Sequence, residues 1–551
     1  MAIESIDDNQ ADKSQSSDVS LLMTGLGPSS EDYYPTVVIN ALLKILKDPS
    51  LGQQYQPATQ AIVNIFQALQ LKMVPFLPQI MPVYLSIMQS GTVLNLDFYF
   101  EKMGFLVLIV KLHIRPYLAD LLQLVKDNWS HTKLQERIIG LVESIAVALD
   151  GEFKAYLPNL LQSFLAVFDT DPSEKHEASN RVLHAFVKFG SNIEEYMHLV
   201  IPVLVKTFEK PDAPMSLRKS AITTIGILAK KVNFSDYASR IIHPFARILA
   251  LPGPELRMPT MDALCPLMLQ MGQDYVNFIP MIKKVLTRAR ISHAMYDQLV
   301  SRLLKREPLP SDLPGIGDDR YVIMADVPQA ESGIRKLPVN QASLRRTWDT
   351  QTRSIKDDWA DWIRRLCLEM LKETPSHALR ACADMANSYH PLARELFNAA
   401  FVSCWGELSD QCQEELADAL VIGLTASNIS PEIIQILLNL AEFMEHDDKP
   451  LPIDIRTLGQ YAAKSHAFAK ALHYKELEFL TEPSTDAIEQ LIGINNNLQQ
   501  PDAAAGILTH AQLHHDFELK EAWYERLQRW EDALVAYERK QLENPNDLTL
   551  T

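Results

Sequence analysis

The stretch GEFKAYLPNLLQSFLAVFDTDPSEKHEASNRVLHAFVKFGSNIEEY, residues 151–196, holds one full copy of the unit from which the first half of the chain is built. Leu157, Leu160, Leu161, Phe164, Leu165 and Phe168 fall at helical spacing on one broad face. Pro158 stands in the first turn, where its missing N–H costs nothing. The next helix carries Val182, Leu183, Phe186 and Val187, then reaches Gly190, where a left-handed cap residue is wanted, six residues before Tyr196. Gly151 and Gly272 stand five and six residues before Tyr156 and Phe278. The aromatic is therefore expected to plug the corner between two helices. Neither helix can bury so wide a face alone, so neighbouring copies must stack.

Working outward, the phrase recurs as Tyr34-Pro35, Phe76-Leu77-Pro78, Tyr117-Leu118, Tyr156-Leu157-Pro158, Tyr196-Met197, Tyr237-Ala238 and Phe278-Ile279-Pro280, with aromatics 42, 41, 39, 40, 41 and 41 residues apart. A period near 40 held over seven copies predicts an α-solenoid of helical hairpins of the HEAT or armadillo type. Residues 1–30, rich in Ser, Asp and Gln, read as a disordered lead-in, and 31–306 as the HEAT-repeat solenoid. Pro308, Pro310, Pro314, Gly315, Gly317, Pro328, Gly333 and Pro338 make 307–343 a flexible linker.

Helices resume at Ser354-Ile355-Lys356-Asp357, a capping-box-like start, and Trp359, Ile363, Leu366 and Met370 form the stripe that follows. The second half, 344–551, repeats more weakly. Ala471-Leu472, Ala503-Ala504 and Ala533-Leu534 lie 32 and 30 residues apart. WYERLQRWEDALVAYERKQLENP imitates a tetratricopeptide pair: Ala533 allows close approach, Tyr524, Leu527, Trp530 and Tyr537 fill the groove, and Pro545 ends the second helix. The chain stops at Thr551 just after it, with no polar capping helix, which is expected of a piece of something longer. The whole is expected to be all-α.

Composition narrows the function. Asp and Glu number 69 against 52 Lys and Arg, a net charge of −17 with no basic run, so nucleic acid is not an expected partner. Met103 to Val110 is the longest apolar run, far short of the roughly 18 residues that span a bilayer. Cys265, Cys367, Cys382, Cys404 and Cys412 form no CxxC pair, which fits a reducing compartment, cytosol or nucleus. No GxxxxGK[ST], GxGxxG after a strand, HRD loop, DFG triplet, GxSxG or HExxH is present, so no catalytic, cofactor-binding or metal-binding residue is assigned and no cofactor is expected.

Three weaker patterns remain. His510 and His514, with His515 beside them, share a helix face at a spacing a metal could bridge, but no third ligand is fixed, and solvated histidines are the plainer reading. Glu442, Glu445, His446, Asp447 and Asp448 lack the ligand spacing and central glycine of a calcium loop and read as a solvated helix end. The basic pairs Arg335-Lys336, Arg345-Arg346 and Arg364-Arg365 either dock an acidic partner or are solvated charges flanking the Trp359/Trp362 helix; solvation is the simpler reading. Tyr156, Tyr196 and Tyr237 are read as core plugs, since no cations interleave with them as in a base-stacking platform.

Longer phrases carry a family resemblance. SSEDYYPTVVINALLKIL, LPQIMPVYL, HIRPYL, GEFKAYLPNLL, DYASRIIHP and FIPMIKKVL resemble the middle HEAT region of the TOR kinases, large Ser/Thr kinases related to phosphatidylinositol 3-kinases. KDDWADWIRRLCLEMLKE, PLARELFNAAFVSCWGELSD, LLNLAEFMEH, AKALHYKELEF, INNNLQQPDAAAGIL and WYERLQRWEDALVAYERK resemble the opening of that family's FAT domain, in the same order. The resemblance implies a non-catalytic arm of a nutrient-responsive kinase, with 344–551 the N-terminal part of FAT and the ATP-binding and catalytic residues beyond Thr551. It also implies a scaffold for companion subunits of a TOR complex, a second TOR copy and a small GTPase activator, with FAT helices clamping the kinase lobes. The protein would be cytoplasmic, peripheral at lysosomal or other endomembranes through its partners. The alternative is an independent HEAT-repeat scaffold or transport receptor, whose array would run as HEAT to the end.

Overall fold

The computed structural model describes residues 27–310, 336–349, 355–514, 521–527 and 529–543, apart from Thr92 and Pro252. Every regular element among them is helical. The chain divides into two compact units: residues 45–334, and a composite unit drawn from both ends, 1–44 with 335–551.

The 45–334 unit is a run of six hairpins. Their first helices are Tyr55–Leu69, Val93–Val110, Gln135–Leu149, Glu177–Phe189, Met215–Leu228 and Arg257–Met271. Their second helices are Leu77–Ser90, Leu118–Asn128, Leu157–Thr170, Met197–Glu209, Ala238–Ala250 and Ile279–Ala289, and Ala294–Leu304 follows. First helices of successive hairpins pack on one another, and most second helices do likewise. Tyr34-Pro35, first of the seven phrases, stands at no hairpin corner; it opens Tyr33–Lys47, a helix whose residues up to Lys44 belong to the composite unit. Residues 49–90 have the length and apolarity of a membrane span, but Gln70, at φ 53°, breaks them into two helices.

Five of the six corners turn through one positive-φ residue: Gln70, Lys111, Asp150, Gly190 and Gly272, each six residues before its corner aromatic. Gly190 and Gly272 sit where the sequence places them, with ψ near −126° and −125° rather than at the left-handed helical value. Asp150, not Gly151, makes the third turn. The fifth corner uses no such residue. Instead Gln270 reaches back one repeat, donating from Nε2 to the carbonyls of Ala229 (3.2 Å) and Val232 (2.6 Å) while its Oε1 accepts from the Phe234 N–H (2.8 Å). Three backbone groups left over by the turn are thereby satisfied.

The plug at each corner is not the repeated aromatic. Met73, Ile114, Phe153, Ile193, Phe234 and Tyr275 are each 0% exposed, and each stands three residues before the aromatic. Phe76 is buried, but Tyr117, Tyr156, Tyr196, Tyr237 and Phe278 are only half-buried. The earlier side chain takes the interior, and the aromatic three residues on is only partly covered at five of the six corners.

Ion pairs join successive hairpins at the period of the repeat. Lys154 meets Glu195 at 2.6 Å, Lys206 meets Asp169 at 2.7 Å, Arg247 meets Glu209 at 2.7 Å, and Arg115 meets Glu152. Most are exposed and each contributes little, typically under about 1 kcal/mol. Glu143 differs: it is buried, between Arg181 at 2.6 Å and His184 at 2.9 Å.

In the composite unit, Trp359, Ile363, Leu366 and Met370 are all buried along Lys356–Glu373, as their spacing predicts. The helix starts one residue later than expected: Ile355 is the cap residue, and Asp358 accepts its N–H at 3.2 Å; Ser354 lies outside the described residues. Residues 336–340 are bonded in place, the Leu337 N–H to the Pro375 carbonyl at 3.1 Å and the Pro338 carbonyl to Arg380 at 3.1 Å. The helix Tyr33–Lys47 joins this unit through Lys44, 2.6 Å from Glu395, and through Tyr34, whose phenol is pushed well up by burial and then by Asp447 and Cys404. Toward the carboxyl end, Ala471, Ala504 and Ala533 are buried where helices approach closely. Trp523 closes the last core, fully buried, whereas Trp530, expected in the groove, is 64% exposed.

Candidate interaction surface

The second helices of the array carry its outer chemistry. Between Met197–Glu209 and Ala238–Ala250 lies an open cleft of about 670 Å³ with Ile201, Pro202 and Val205 along it and Lys206, Glu209, Lys210 and Arg240 around them. Lys206 and Glu209 are already engaged with Asp169 and Arg247. What the cleft offers is an apolar strip with charged margins, a surface suited to another protein's side chains rather than to an enclosed small molecule.

In the composite unit, Ala399, Ala400, Ser403 and Cys404 are all buried on one short helix, Phe397–Trp405. This helix packs on Lys356–Glu373; the Cys404 thiol points to the Met370 carbonyl at 3.5 Å, and the Ser403 and Thr374 hydroxyls meet at 2.7 Å. Small side chains bring the helices together here, as they do at Gly423, where an added Cβ would stand 3.1 Å from the Trp362 ring. Burial pushes the thiols of Cys265, Cys367, Cys382 and Cys404 up to about 12, so they are protonated, inert packing groups at neutral pH.

The patterns singled out in the sequence resolve unequally. His510 is exposed with its ring edge against Phe479, while the side chain of His514, and His515, lie outside the described residues. Among the described residues no group of three His, Cys, Asp or Glu could hold a metal. Three of the carboxylates at 442–448 have partners: Glu442 meets Lys470 (2.8 Å), Glu445 the His473 imidazole (3.0 Å) and Asp447 Lys449 (2.8 Å). Lys336 pairs with Glu407 at 2.8 Å and Arg345 with Glu415; Arg335 is outside the described residues. Arg364 makes no ion pair among the described residues, and it lines a cavity with Arg394 and His390. Nothing in the sequence announces that convergence, since Arg394 and His390 lie on another helix.

Comparison with known proteins places the sequence. A family model described as the serine/threonine-protein kinase mTOR domain matches residues 2–111. The serine/threonine-protein kinase TOR2 of Saccharomyces cerevisiae is 50% identical over 529 residues, 95% of this chain and 21% of that protein. Over nearly its whole length this chain is TOR-family sequence. The kinase tor1 of Schizosaccharomyces pombe is 45% identical, covering 99% of this chain and 24% of its own length, and mTor of Drosophila melanogaster is 40% identical, covering 98% and 22%. The chain thus spans between a fifth and a quarter of the TOR kinases it matches. Among solved structures, importin beta overlaps 95% of this chain and 63% of its own at 12% identity, with a TM-score of 0.39.

Proposed function

We propose that this chain is a non-catalytic scaffold and regulatory segment of a TOR Ser/Thr kinase that controls growth in response to nutrients. The observation that carries the reading is identity of 40–50% along nearly all of the chain to only about a fifth of each kinase. In this reading phosphoryl transfer is done elsewhere in the parent protein, and this segment supplies surface. The outer clefts, apolar with charged margins, dock companion subunits, a second TOR copy and a small GTPase activator, while the composite unit restrains the kinase domain. The segment works in the cytoplasm and reaches endomembranes through its partners.

Two measurements test this. The tagged chain, expressed in cells, should retain companion subunits or full-length TOR on affinity capture, and should phosphorylate nothing with magnesium and ATP. A monomer that captures no TOR component, or a chain that transfers phosphate itself, would overturn the reading. Restraint is tested separately by Cys404→Tyr in the full-length kinase, which forces apart two helices held close by small residues. Activity on a model substrate should rise at equal folded concentration; unchanged or lower activity removes the restraint role.

A further inference from the structure

We propose that the pocket between the helices Lys356–Glu373 and His390–Glu395 binds a phosphate-class oxyanion, held by Arg364, Arg394 and His390. The pocket encloses about 240 Å³, the share of roughly eight liquid waters, enough for a phosphate group and part of its hydration. Its floor is apolar, with Ile363, Cys367 and Ala393 buried. Its polar lining is two guanidiniums, one imidazole and the exposed carboxylate of Asp361.

Three features separate this pocket from an ordinary basic surface. The arginines come from different helices and converge, whereas Lys283, Lys284 and Arg288, which line another depression, all belong to the single helix Ile279–Ala289. The arginines are also uncommitted: Arg364 has no ion pair among the described residues, and Arg394 reaches only the exposed Glu432, at 3.7 Å. Finally, His390 Nδ1 is buried without a hydrogen-bond partner among the described residues. Burial, then Arg364, then Arg394 hold that ring's pKa down, against a hydrogen bond to the Ala386 carbonyl that raises it. A dianion would satisfy both guanidiniums through charge-assisted, forked hydrogen bonds and engage the imidazole as donor. Asp361 leaves the lining with a net positive charge and disfavours ligands bearing further carboxylates beside the phosphate.

The test uses calorimetric titration of the full chain at constant ionic strength, with sulfate, orthophosphate and a short phosphoserine peptide as probes and chloride as the balancing salt. Orthophosphate and sulfate should bind at millimolar concentration, and Arg364→Gln and Arg394→Gln should each weaken binding at least about tenfold. Both arginines are exposed, so the variants should unfold at the wild-type temperature without ligand. Lys283→Gln/Lys284→Gln should titrate as wild type. Tighter binding of the peptide identifies a phosphorylated side chain as the source, and equal binding identifies the free ion. No binding beyond the chloride control, or binding that survives both arginine substitutions, overturns the proposal.

Discussion

At the corner of the fourth hairpin Ile193 is buried completely, while Tyr196, three residues on, keeps part of its ring in solvent. Ile193→Ala should cost about 2–5 kcal/mol, the range for a buried aliphatic truncation, and Tyr196→Ala distinctly less. Hydrogen exchange read hairpin by hairpin should show the Ile193 loss at 177–209 and its two neighbours, not along the whole array. Equal losses for the two variants would mean the aromatic is the plug after all. A second residue gives a pH signature. Burial raises the Asp171 carboxyl, but the hydroxyl and N–H groups of Ser173 and Ser179 outweigh it and hold the group below the usual carboxylate range. Its bonds to Ser179, 2.9 Å to the N–H and 2.8 Å to the hydroxyl, pin the start of Glu177–Phe189. A lowered folded pKa means the contribution is full above the unfolded value of about 4 and is lost as the pH falls through the folded value. Asp171→Asn should therefore be less stable than wild type at neutral pH in urea titrations, and the gap should narrow below about pH 4.

Repeats of about 40 residues were legible because each hairpin writes its own corner phrase, but the phrase marks the joint without saying which of its residues is inside. Tyr and Phe are the conspicuous letters; Met73, Ile114 and Ile193 are not, yet burial falls to them. Tyr237-Ala238 marked the place of the fifth corner but not how it closes, since the group that completes it, Gln270, lies in the next hairpin. Gln270→Ala should strand three partly buried backbone groups at a cost of about 1–3 kcal/mol, with exchange accelerated at residues 229–234. Protection there equal to wild type would mean water serves as well as the glutamine. At the other end, the alanines that open close helix approaches were readable, yet Trp523, on the helix before the one Trp530 opens, fills the core. For the seam at Phe397–Trp405, where small residues were read correctly, Cys404→Tyr should overpack by about 1–3 kcal/mol and lower the thermal midpoint of the isolated chain.

For the whole molecule, the sequence offers two local periods and no sign that residues 33–44 belong with the far half. Lys44 and Glu395 are 351 positions apart, beyond the reach of any periodicity. Deleting residues 1–44 should therefore destabilise the composite unit. The change is easy to follow, because Trp129 is the only one of seven tryptophans in the array and Trp129→Phe leaves fluorescence to the composite unit alone. An unchanged fluorescence midpoint after deletion would show the helix to be a passenger.

The split composition of that unit also sets a timetable for synthesis. Lys44, on Tyr33–Lys47, is made 351 residues before its partner Glu395, an interval of roughly 20–70 s at ordinary elongation rates. During that interval Val37, Val38, Leu42 and Leu43, all buried in the finished protein, have no composite unit to enter. The nascent chain must hold an apolar helix in reserve while a complete hairpin array is made after it, so the composite unit, begun before the array, closes after it.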